Sequence, residues 1–144
     1  MSSERIDFQR DREDGRKSDT PLIGAASLAA EEVGLRLLGA GAKPELRGIF
    51  GETALHWAAL LGEVQLAARL IHGSDINLRD ERYYSTPLGW AIHGCYDTPP
   101  GNQGKQREAA ALLVRAGASV EPEWLEQVRS DAAMLAALNT GKRL

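Results

Sequence analysis

The densest group of chemically able side chains in this chain is His93-Gly94-Cys95-Tyr96-Asp97. A cysteine beside a histidine can act as a nucleophile when a base lies within reach and the thiol titrates low. Adjacency in sequence supplies neither condition, and a helix end running into a surface loop accounts for the same residues. Two potential ligands, His93 and Cys95, fall short of the four that a structural zinc takes. Gly101-Asn102-Gln103-Gly104-Lys105 has the glycines and lysine of a phosphate loop, but the Walker pattern needs glycine five before Gly104 and Ser or Thr after the lysine. Those positions hold Pro99 and Gln106. His56, His72 and His93 are scattered and assemble no nucleophile–base–orienter set. We therefore expect no catalytic residue, no metal site and no cofactor.

The elements that would have to position any site are more regular. Thr20-Pro21-Leu22, Thr53-Ala54-Leu55 and Thr86-Pro87-Leu88 recur at one constant interval, each followed by alanine at Ala25, Ala58 and Ala91. A fixed period of this length means one supersecondary unit stacked on copies of itself. The threonine suits a helix N-cap, and Pro21 and Pro87 fall at the first helical position, where a missing N–H costs nothing. Leu55, Ala58 and Ala59 share one face of a short helix that Gly62 ends, and Val64, Leu66, Ala67, Leu70 and Ile71 give the apolar face of a second. Gly73 closes that helix, and residues 74–85 read as a polar, turn-rich excursion to the next unit.

Thr53-Ala54-Leu55-His56-Trp57-Ala58-Ala59 with Gly62, then Gly73-Ser74-Asp75-Ile76-Asn77, resembles one ankyrin repeat with its T-P-L-H-x-A motif. Thr86-Pro87-Leu88-Gly89-Trp90-Ala91 repeats the opening and Gly117-Ala118-Ser119-Val120-Glu121 the close. Residues 20–26 and 41–45 resemble a looser copy. The motif histidine survives only as His56, with Ile23 and Gly89 at the other two positions. The resemblance implies an all-α solenoid of stacked antiparallel helix pairs, a structural role for His56, and binding of a protein partner. Trp57 and Trp90, one period apart, are expected to pack between layers.

The expected organisation is a charged, solvated arm over 1–19, three repeats over 20–52, 53–85 and 86–121, and capping helices over 122–144. From threonine to closing glycine the repeats run from 20 to 41, from 53 to 73 and from 86 to 117. The third is longer, so a ten-residue insertion near 95–104 is expected as a loop between its paired helices. Ser130 reads as the cap of the last helix and Gly141 as its end. Net charge of −3 argues against nucleic acid as partner. No apolar run is long enough for a membrane span, and the N-terminus lacks a signal-like apolar region. The single cysteine fits a reducing compartment, so the expected location is cytoplasmic.

In the family, binding side chains come from the hairpin tips and the last turn of the first helix. By register the resemblance then implies Ile49, Phe50 and Glu52 on one tip, with Leu60 and Leu61 at the helix end. In repeat three it implies Arg82, Tyr83 and Tyr84, with His93 at the helix end. So apolar a set exceeds what a solvated surface needs and reads as a partner surface. The expected state is a monomer unless these tips self-associate. Two rival readings differ in consequence: a regulatory or inhibitory subunit of an enzyme, and an enzyme or small-molecule protein with its site at the repeat-three insertion.

Overall fold

The computed structural model describes residues 3–97 and 103–140. The helices among them are α1 (Ser3–Ile6), α2 (Pro21–Ser27), α3 (Glu31–Gly39), α4 (Ala54–Leu61), α5 (Val64–Leu70), α6 (Pro87–Asp97), α7 (Gln103–Arg115), α8 (Pro122–Gln127) and α9 (Ala132–Leu138). Among the described residues the extended pairing is one isolated bridge, Asp11 with Lys17. The fold is all-α.

Each pair starts where its threonine allows. Thr20 Oγ1 accepts the Ile23 N–H at 3.1 Å and Thr86 Oγ1 that of Gly89 at 3.3 Å, covering amide groups a helix start would leave orphaned. Gly62 stops α4 in the left-handed region at φ 71°, which glycine enters freely. Helices α2, α4 and α6 pack side by side as an inner layer, and α3, α5 and α7 as an outer one. Leu22, Leu55 and Leu88 are sealed within it, each worth roughly 2 kcal/mol of apolar burial. A Cβ on Gly94 would lie 2.0 Å from the Leu60 carbonyl oxygen, so glycine there lets α6 close onto α4.

Three expectations change. Residues 3–19, though exposed over 10–17, are tied down rather than free: Ile6 is 2% exposed in the core, and Gln9 Nε2 donates to the Ser18 and Arg47 carbonyls. The flanks of the repeat-three insertion are helix rather than loop. Cys95–Asp97 extend α6 and Gln103–Gly104 begin α7, which run to 11 and 13 residues against 8 and 7 for α4 and α5. Residues 98–102 of that insertion lie outside the described residues, as does Gly141. The cap of α9 is Asp131 rather than Ser130: its carboxylate accepts the Met134 N–H at 2.9 Å. The same carboxylate takes the Arg107 guanidinium and the Tyr96 hydroxyl, tying the closing unit to repeat three. No helix among the described residues is long and apolar enough to cross a membrane.

Candidate functional site

The tip of repeat three is organised by one buried carboxylate. Asp80 accepts backbone N–H groups of Arg82 (3.0 Å), Tyr83 (2.7 Å) and Ser85 (2.9 Å), and the Trp90 indole N–H at 3.1 Å. Burial pushes its carboxyl up, and those donors outweigh burial and hold it below the usual carboxylate value. The hairpin is thereby fixed to α6 through Trp90.

His56 makes the second connection. Its Nδ1 accepts the Thr53 N–H at 3.1 Å, which puts the proton on Nε2, facing the carbonyls of Leu78 (3.0 Å) and Ser85 (3.2 Å). Burial lowers its pKa to about 4, so the ring stays neutral and serves as a strut between α4 and the hairpin that leads into repeat three. The corresponding position of repeat three is Gly89, where an added Cβ would meet the Ser85 hydroxyl at 1.9 Å and Trp124 of α8 at 3.1 Å. Ser85, with Trp124 of the closing unit behind it, occupies the space that a larger residue would need.

Around these struts the aromatic rings converge. Trp57 and Tyr83 both meet Trp90 edge to face, with centroids 5.2 and 6.1 Å away. Phe50 and Tyr83 hold the same register position in successive repeats, and the Arg82 guanidinium lies 4.8 Å from the first ring centroid and 5.5 Å from the second. Phe50, Trp57, Leu60, Tyr83, Ser85, Gly89, Trp90 and His93 enclose an open groove of about 300 Å³ between tips and inner helices.

The sequence-expected residues divide accordingly. Phe50, Leu60, Tyr83 and His93 line the groove, and Arg82 sits at its mouth. Ile49 and Leu61 are half-buried beside it. Tyr84 is 72% exposed and carries φ 51°, in the left-handed region, where its register equivalent is Gly51 at φ 69°. A tyrosine in that conformation is strained, so the chain holds an aromatic ring where glycine would be easier. Glu52 is a correction. It is 0% exposed, turned beneath the tip beside Asp19, with neither carboxylate oxygen in a well-formed hydrogen bond among the described residues. Burial first, and the Asp19 charge second, raise its pKa to about 7. A partner cannot touch it.

Trp57 and Trp90 do more than pack between layers. Trp90 is buried, yet both rings form the groove wall. Their shared register is the signal the sequence offers; that the inner layer turns them toward the tips is not visible in it. The chemistry-bearing cluster stays apart. Cys95 is fully buried, with its thiol pushed up by burial and 3.7 Å from the Gln103 carbonyl. His93 instead pairs with Asp97 at 2.7 Å on the surface. Among the described residues no three His, Cys, Asp or Glu side chains gather as a metal site.

Comparison with known proteins bears on the same segment. A family model described as ankyrin repeats in three copies matches residues 22–123. The NF-kappa-B inhibitor cactus of Drosophila melanogaster is 33% identical over 85 residues, 58% of this chain and 15% of that protein. The neurogenic locus notch homolog protein 1 of Xenopus tropicalis is 40% identical over 77 residues, 52% of this chain and 3% of that protein. This chain therefore spans only a small part of those relatives' length. An ankyrin repeat domain from Acinetobacter baumannii, solved by crystallography, superposes with a TM-score of 0.68 at 22% identity, over 89% of this chain and 68% of that one.

Proposed function

Because the chain belongs to the ankyrin repeat family, we propose that it works as a protein-interaction module whose partner seats on the hairpin tips and the inner helices. The family is in general a non-enzymatic binding module, and binding is the reading adopted for this chain. The observation that carries it is the aromatic groove: Phe50, Trp57, Tyr83 and Trp90 around one opening, with Tyr83 63% exposed at its edge. Large rings presented on a rigid frame are what interface anchors are made of. The partner-facing set is Ile49, Phe50, Leu60, Leu61, Arg82, Tyr83, Tyr84 and His93, joined by the two tryptophans, with Glu52 underneath as support. Asp80 and His56 fix the tips beforehand, so little ordering cost falls on the scaffold when it binds.

The test is a purified partner, first identified in the source cells, titrated against wild type and a Phe50→Ala/Tyr83→Ala variant. We expect a loss of about 2 kcal/mol or more, roughly thirtyfold in affinity, with the fold retained. A large fall in melting temperature with unaltered affinity would show that these rings serve the core. The cactus relative is named as an inhibitor. An inhibitory outcome here would use the same surface, and competition against the partner's own activity distinguishes blocking from scaffolding.

A further inference from the structure

The groove selects the chemistry of its occupant, and we propose that it takes an acidic peptide segment: one apolar or aromatic side chain enters between the rings while a neighbouring carboxylate pairs with Arg82. This rests on the interaction reading above and names the partner's class.

The argument starts from the cations at the tips. Lys17 is paired with Asp11, Arg79 with Glu121, and Arg12 with Asp14. Arg47 is spent on the carbonyls of Gly51 and Arg79. Arg82 has no ion pair among the described residues; Arg16 reaches the Ile49 carbonyl at 3.1 Å and has the Asp14 charge nearby. The acids close by form no ion pair with Arg82 among the described residues. Asp80 is buried and already holds four donors. Glu52 is buried, and burial with the Asp19 charge keeps its carboxyl up near neutrality. Glu81 is exposed with its side chain against Gly51, and Asp97 faces His93; neither pairs with Arg82 among the described residues. The mouth thus holds the Arg82 guanidinium without an ion pair among the described residues, on a chain whose net charge is −3.

A cationic occupant is disfavoured by what Arg82 already does. Its guanidinium lies over Phe50 and Tyr83, so a second cation would have to displace it or sit beside it. An anion meets the opposite situation. A guanidinium resting on a ring keeps its N–H groups in its own plane, where they can take a carboxylate in a two-pronged bond. A carboxylate on the occupant supplies Arg82 with an acceptor. A volume of about 300 Å³ is at the small end of ligand pockets, sized for an anchoring side chain and leaving the rest of the segment along the tips.

Three acetylated, amidated octapeptides test this by calorimetry at low salt: DEDLFDED, its charge-reversed form KRKLFKRK, and the anchorless DEDSSDED. DEDLFDED should bind saturably and at least tenfold more tightly than the other two, and should weaken as salt is raised. Arg82→Glu should cost it tenfold or more and Arg82→Gln less; both are exposed substitutions whose folding is checked by thermal melting. Equal or tighter binding of KRKLFKRK, no saturable binding of DEDLFDED, or an affinity indifferent to Arg82→Glu overturns the proposal. The Phe50→Ala/Tyr83→Ala variant separates the two levels. If peptide affinity falls with the rings but ignores Arg82 and peptide charge, the acidic class is wrong and the interaction site stands. If affinity ignores the rings, the groove itself is not the site.

Discussion

Replacing Glu52 by glutamine should change how stability depends on pH, and the structure sets sign and size. The side chain is 0% exposed, neither oxygen has a well-formed hydrogen bond among the described residues, and its pKa rises from 4.5 to about 7, chiefly by burial and then by Asp19. A carboxyl raised on folding makes the folded state hold its proton more tightly. Its stabilising contribution is complete below pH 4.5 and is lost as pH climbs through 7. The loss over that window is about 3 kcal/mol, at about 1.4 kcal/mol per pH unit. Glutamine cannot ionise, so the difference in unfolding free energy, Glu52→Gln minus wild type, should grow by that amount between pH 4.5 and 8. For a domain of this size it corresponds to roughly 10 °C in melting temperature. Urea melts of both chains at pH 4.5, 6, 7 and 8 give the difference directly. His56, depressed to about 4, gains stability as pH rises from 4 to 6.5, and Glu63, raised to about 8 by burial and then by Glu31, loses it from 4.5 to 8. Both are common to the two chains and cancel. Parallel profiles, with a difference independent of pH, would mean that Glu52 is solvated or paired in solution, and the buried-carboxyl argument would fail.

Tyr84→Gly removes a strained left-handed tyrosine, so stability should hold or rise by up to about 1 kcal/mol while partner affinity falls. A destabilisation beyond about 1 kcal/mol would show that the ring supports the fold. Asp131→Asn should cost about 2 kcal/mol in unfolding by breaking the charged pair with Arg107, which joins α7 to the start of α9. The same substitution should bring the Tyr96 phenol, raised to about 12 by burial and then by Asp131, down toward 10 in a spectrophotometric titration. An unmoved Tyr96 would place it away from Asp131.

The repeat architecture was legible because its determinants are local. Thr20, Thr53 and Thr86 mark helix starts through contacts with the first turn, and Gly62 marks an end through its own backbone angle. Repetition at a constant interval then fixes the stack, since equivalent positions must face equivalent neighbours. Register also brought Phe50, Leu60, Tyr83 and His93 forward together as one surface. What register could not supply is the direction a side chain takes once another layer arrives. Glu52 and Tyr83 both sit near tips, yet one turns under Gly48 beside Asp19 and the other stays in solvent. Trp57 and Trp90 read as packing until α4 and α6 set them edge to face on an open groove. Ile6 looked like part of a charged arm, and its burial depends on a core built by later residues. Helix, cap and period follow from neighbours a few positions away, so the sequence alone determined them. Burial and the charge at the groove mouth arise between residues far apart along the chain, and only the tertiary structure decided those.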